Sequence, residues 1–144
     1  MKRGARTDWR RVVNIVLPVV ILADMVFYQF CLTSCSSLQG DVLGFNMKYV
    51  GLIIPLPLIV LAILKYDLLY LLALAFGVGG ELKLIWFQAQ SQVYCPYCLF
   101  AAAVIIFLFF LNFRRSRAFP ALTFILIGFL FFQLFFHGAV TPSY

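Results

Sequence analysis

The sequence predicts an all-α integral membrane protein with five transmembrane helices. Three observations predict it. Of the 144 residues, 65% are hydrophobic and only 11% charged, with a mean hydropathy of +1.04. A soluble domain of this length does not carry so much apolar surface. The apolar residues fall into runs of spanning length, separated by short polar turns. The basic residues sit in those turns and gather on alternate ones. A net charge of +6 on a soluble chain would raise nucleic acid as a partner. Basic residues in short loops between apolar runs instead orient a chain in the bilayer.

Each element follows in order. Residues 1–11 carry Lys2, Arg3, Arg6, Arg10 and Arg11. The first span, 12–30, is interrupted by Asn14, Asp24 and Gln29. A basic start before an apolar run also describes a signal peptide. This run is long and lacks a small-residue cleavage site, so a retained helix is the reading. The outer loop 31–48 holds the first cysteine pair, Cys31 and Cys35. Its second half, through Phe45 to Lys48, is expected to lie on the membrane surface as a short amphipathic helix. The second span, 49–64, is kinked by Pro55 and Pro57, and neighbouring helices must satisfy the freed carbonyls. Lys65-Tyr66-Asp67 makes a tight turn. The third span, 68–87, carries Gly77, Gly79, Gly80, Glu81 and Lys83 in its outer third. Residues 88–92 form a loop. The fourth span, 96–113, opens on Cys95-Pro96-Tyr97-Cys98 and ends before Arg114-Arg115-Ser116-Arg117. The fifth, 118–136, leaves 137–144 as a short tail. All 144 residues read as a single membrane domain.

With the N-terminus in the cytoplasm, five crossings put nine of the eleven basic residues on the cytoplasmic side. Only Lys48 and Lys83 remain outside. The same count places all four cysteines and the C-terminus on the outer side of a plasma (inner) membrane. The cysteines did not enter the count. An oxidising compartment is where disulfide chemistry persists.

Proline tolerates the first turn of a helix because its missing N–H has no partner there. Cys95-Pro96-Tyr97-Cys98 therefore reads as a helix start. Unpaired N–H groups and the positive helix end favour a thiolate, the reactive form of cysteine. Cysteines at i and i+3 share a face and form a reducible disulfide. The plainer alternative is a pair of buried cysteines acting as small hydrophobes. Two outer-face pairs suit a disulfide relay by thiol exchange. The loop pair can meet a soluble protein, and the helix pair something dissolved in lipid. Cys98 lies one turn deeper than Cys95, about 4–5 Å at the helical rise. A quinone is the obvious lipid-soluble electron acceptor. No flavin, nicotinamide or nucleotide motif is present. Zinc binding by four cysteines competes, but the pairs are split between a loop and a span, so no metal is expected. A disulfide-stapled, non-catalytic subunit is a third reading.

The order of span, two loop cysteines, two spans and Cys95-Pro96-Tyr97-Cys98 resembles the bacterial homologues of vitamin K epoxide reductase. The segment Gly44-Phe45-Asn46-Met47-Lys48-Tyr49-Val50-Gly51, with its two glycines, adds to the resemblance, which covers most of the chain. It implies a four-helix bundle around a quinone pocket plus one extra helix. It implies that Cys98 reacts with a ubiquinone- or menaquinone-type quinone and that Cys95 exchanges with Cys35. Cys31 would meet a soluble periplasmic or extracellular thioredoxin-like partner, expected as a separate protein. Ser37, Phe45 and Ala102 are the implied quinone neighbours. The chain departs from the family in a shorter cysteine loop and in Ala102, where the animal enzyme has tyrosine. The activity implied is a quinone-linked thiol–disulfide oxidoreductase supporting disulfide formation. The alternative is a quinone or quinone-epoxide reductase whose product is the reduced quinone. Of the remaining polar residues, Asp24 is expected to pair with Lys83. Glu81 and Lys83 are expected to snorkel to the interface. His137 reads as solvated, with a proton-donating role as the alternative.

Overall fold

The structure, a computed structural model, describes residues 3–30 and 38–140, with side chains from residue 8 onward. It is mostly helical. Helix α1 runs Arg3–Gln29, α2 Met47–Ile53, α3 Pro55–Ile63, α4 Asp67–Ser91, α5 Pro96–Asn112 and α6 Ala118–Phe135. Three stretches are long and apolar enough to cross a membrane: Asp8–Gln29, Asp67–Ser91 and Arg115–Phe135. Met47–Ile63 and Pro96–Asn112 are shorter apolar helical segments.

Proline sets two of the helix boundaries. Pro55 stands at the first position of α3, and Ile54 closes α2 by donating to the Val50 carbonyl at 3.1 Å. This is the kink expected in the second apolar run, resolved as two short helices. Pro96 likewise opens α5. The third helix is longer than expected. It continues through residues 88–91, read from sequence as loop, and Gln92 ends it at φ 55°.

Helices α1, α3, α4 and α5 form a closed ring in which each packs on the next, and α6 lies outside, packed against α4. The centre of the ring is filled. Leu71, Leu74, Ile105 and Leu108 are each 2% exposed or less. The α4–α6 contact is a backbone contact. A Cβ added to Gly79 would collide with the Ile125 carbonyl, and one added to Gly128 with the Phe76 carbonyl. Small residues that let backbones approach are how helices associate where hydrophobicity gives no drive. At the α1 N-terminal end, Asn14 and Asn112 exchange amide hydrogen bonds at 2.8 Å. The Tyr70 hydroxyl donates to the Asn14 carbonyl at 3.0 Å. These bonds join α1, α4 and α5.

The fold is not all-α. Strands β1 (Leu38–Val42), β2 (Phe45–Asn46) and β3 (Phe136–Val140) form an antiparallel sheet in the order β2-β1-β3. Leu43 and Gly44, both at positive φ (54° and 83°), make the hairpin turn. Positive φ at both central positions matches the twist of a two-residue hairpin. The expected amphipathic helix before Lys48 is this hairpin, with α2 starting at Met47. Residues 137–140 of the expected tail belong to β3, which pairs with β1 from Leu38↔Val140 to Val42↔Phe136. The sheet covers the end of the ring opposite the Asn14–Asn112 pair. It packs through Phe136, whose ring meets that of Phe87 edge-on at 5.2 Å.

Candidate functional site

Cys95 caps α5 and Cys98 is the third residue inside it, at the sheet-covered end of the ring. Cys95 is extended (φ −98°, ψ 112°) because the residue before a proline is pushed out of the helical region. Its N–H donates to the Gln88 Oε1 at 2.9 Å, a buried bond from the end of α4. Gln88 is 2% exposed and Cys95 fully buried. The bond exists because α4 continues past Phe87, bringing Gln88 under the turn that leads into α5. Residue type alone did not flag Gln88, since a glutamine among Gln, Ala and Ser reads as loop.

Around this turn, the Tyr97 ring lies 6.1 Å from that of Tyr28 on α1. The Lys48 ammonium sits 5.7 Å above the Tyr28 ring, within cation–π range. Gln29 donates to the Lys48 carbonyl at 3.2 Å. Cys98 is half-buried and lines a cavity of about 30 Å³ with Tyr28, Gly40, Met47, Leu84, Gln88 and Phe136. A space of that size holds water and no aromatic ring.

A far larger space lies next to it, beside the ring and not within it. A groove of about 550 Å³ is lined by α2, α3, α4 and α6. Its walls are apolar apart from Glu81, which is 9% exposed and has no hydrogen-bond or ion-pair partner among the described residues. Glu81, Leu84 and Gln88 stand at i, i+3 and i+7, one stripe of α4. Leu84 lines both spaces and packs with Val42 and Phe132 between them. Glu81 is thus about 10 Å below Gln88 along the helix. Its expected snorkelling does not occur, because its side of α4 faces the groove.

Cys31, Cys35 and Ser37 lie outside the described residues. Phe45 is in β2, 65% exposed, and borders neither space. Ala102 is one turn along α5 from Cys98, buried in helix packing, and also borders neither. His137 is exposed on β3 opposite Asp41 and lines an outward polar depression, apart from Cys98. The expected Asp24–Lys83 pair is absent: the Asp24 Oδ2 is buried with no hydrogen-bond partner. Helices α1 and α4 face each other across the ring and do not pack as neighbours, which keeps the two side chains apart. Among the described residues no cluster of three or more His, Cys, Asp and Glu is placed to hold a metal.

No known protein family, curated protein or solved structure matches the chain.

Proposed function

We propose that the chain is a membrane thiol–disulfide oxidoreductase. It passes electrons from a soluble thioredoxin-like dithiol through Cys31/Cys35 and Cys95/Cys98 to a membrane quinone. The observation that carries the reading is the C-P-x-C turn at the start of α5, with Cys98 on a cavity that shares Leu84 as a wall with a large apolar groove. Helix starts favour thiolates, and an apolar groove with one buried carboxyl suits a polar ring on a hydrocarbon tail. The resemblance to bacterial vitamin K epoxide reductase homologues, drawn from cysteine order and spacing, supports the same assignment. In this reading all five helical segments span the membrane, with α2–α3 together and α5 at the short end of the spanning range. The cysteine end faces outward.

The reaction balances without another reagent. Two cysteine thiols become a disulfide, and the two electrons and two protons pass to the quinone, leaving a hydroquinone. The protein dithiol then reduces the disulfide through the loop pair. Glu81 is the group in the groove able to take or give a proton.

Quinone absorbance after anaerobic mixing tests this. Reduced thioredoxin-like protein should drive its loss, and Cys98→Ala should abolish the loss with any thiol donor. Cys31→Ala should lose the protein donor while retaining part of the reaction with a small dithiol, which bypasses the loop pair and exchanges at the half-buried Cys98. Cys35→Ala should trap the protein donor as a mixed disulfide on Cys31. Glu81→Gln should slow the reaction by about 10²-fold or more if the carboxyl moves a proton. Full activity in Cys98→Ala would sink the assignment.

A further inference from the structure

The end of the ring away from the cysteines carries a second built site. A cavity of about 280 Å³ opens there between α1, the α3–α4 turn and the turn after α5. Five cations line it: Arg10, Arg11, Lys65, Arg114 and Arg117. Two carboxylates, Asp8 and Asp67, also border it, which leaves a surplus of positive charge. None of these seven forms an ion pair among the described residues. The floor is polar as well, made by Asn14, Asn112 and the Tyr70 hydroxyl. A preference for basic residues on one side of a membrane accounts for their side. It does not account for three separate segments converging on one polar-floored cavity.

Lys65 adds an independent sign. It lies at φ 62°, the left-handed conformation that follows a helix end. The Tyr66 N–H donates to the Leu61 carbonyl at 3.2 Å, the six-residue bond of a Schellman ending. Glycine is the usual occupant, since a side chain there is strained. Here the position is filled by a lysine that lines the cavity. Backbone strain kept at a charged position points to a use for that charge.

We propose that this cavity binds the phosphodiester headgroup of an anionic membrane lipid. Guanidinium groups match phosphate oxygens, and basic pockets between helices hold such headgroups. The cavity sits at the end of an apolar helix ring, so the acyl chains of a bound lipid lie along the ring's lipid-facing surface. The inference rests on the chain being in a membrane and is independent of the cysteine chemistry.

The test is native mass spectrometry of the full chain released from detergent, with phosphatidylglycerol or phosphatidylcholine added. Phosphatidylglycerol should be retained in preference. Lys65→Gly should weaken its retention about fivefold, the effect of one basic residue near a headgroup, while leaving the thermal midpoint unchanged or raised. The pair Arg114→Gln with Arg117→Gln should weaken it further. Lys83→Gln, at the other end of α4, should have no effect. Equal retention of the two lipids, or a stable Lys65→Gly that binds like the native chain, would overturn the proposal. Displacement of phosphatidylglycerol by millimolar inorganic phosphate would overturn the lipid assignment in favour of a free anion. Because Lys65→Gly relieves strain, loss of folding in the arginine variants does not remove the test.

Discussion

Cys95 shows how one side chain holds the turn into α5 in place. Its buried N–H has the Gln88 carboxamide as acceptor, and an orphaned buried donor costs about 1–3 kcal/mol. Gln88→Leu keeps the volume and removes the acceptor. It should therefore lower stability by about that amount, read as a shift in the thermal or denaturant midpoint. It should also speed alkylation of Cys95 by a maleimide, because the turn from Gln92 to Cys95 is no longer anchored to α4. Unchanged stability and unchanged alkylation would mean the bond contributes nothing to the turn. At this scale the sequence was informative about identity and silent about partners. Cys95, Pro96 and Cys98 stand out through spacing and the special geometry of proline. Gln88 does not, and Glu81 was noticed but read as reaching the interface, because nothing in a residue's type says which face of its helix meets a cavity. The Asp24–Lys83 pairing failed for the same reason: similar depth does not mean adjacent helices.

Elements were legible where a residue carries its own geometric rule. Pro55 breaks the second apolar run and Pro96 starts α5, as proline must. The strands were hidden because β1 finds its main partner about a hundred residues later in β3, and no local pattern announces a non-local pairing. The glycines of α4 were visible as a group, and only the structure tells them apart. Gly79 meets the α6 backbone, whereas a Cβ on Gly77 would rest 3.5 Å from the Ile105 side chain, an ordinary contact. Gly77→Ala should then stabilise by about 0.5–1 kcal/mol, the gain of alanine over glycine within a helix. Gly79→Ala gains the same and loses more, since a backbone carbonyl cannot move aside. Overpacking costs about 1–3 kcal/mol. Unfolding of the two variants in mixed micelles should give shifts of opposite sign. Shifts of the same sign would mean α6 does not pack on α4 this closely.

For the whole molecule, the segments fall into two ends by charge and by chemistry. Arg10, Arg11, Lys65, Arg114 and Arg117 meet at one end, and Cys98 lies with the sheet at the other. Apolar composition made helices of membrane-spanning length legible, and the alternation of basic turns suggested an orientation. The structure adds a constraint that charge counting lacks. Strand β3 pairs with β1, so residues 38 and 140 share one side whatever the orientation. With the basic end in the cytoplasm, a periplasmic reporter fused after Tyr144 should be active. The same reporter inserted after Arg115 should be inactive, and a cytoplasmic reporter should give the reverse at both sites. Changing Lys65, Arg114, Arg115 and Arg117 together to glutamine removes four of the nine basic residues that would hold that end inside. It should produce a mixed population, in which both reporters report both sides. If the Tyr144 and Arg115 fusions reported the same compartment in the native chain, α6 would not cross the membrane. The five-span arrangement would then fall, while the β1–β3 pairing would still stand.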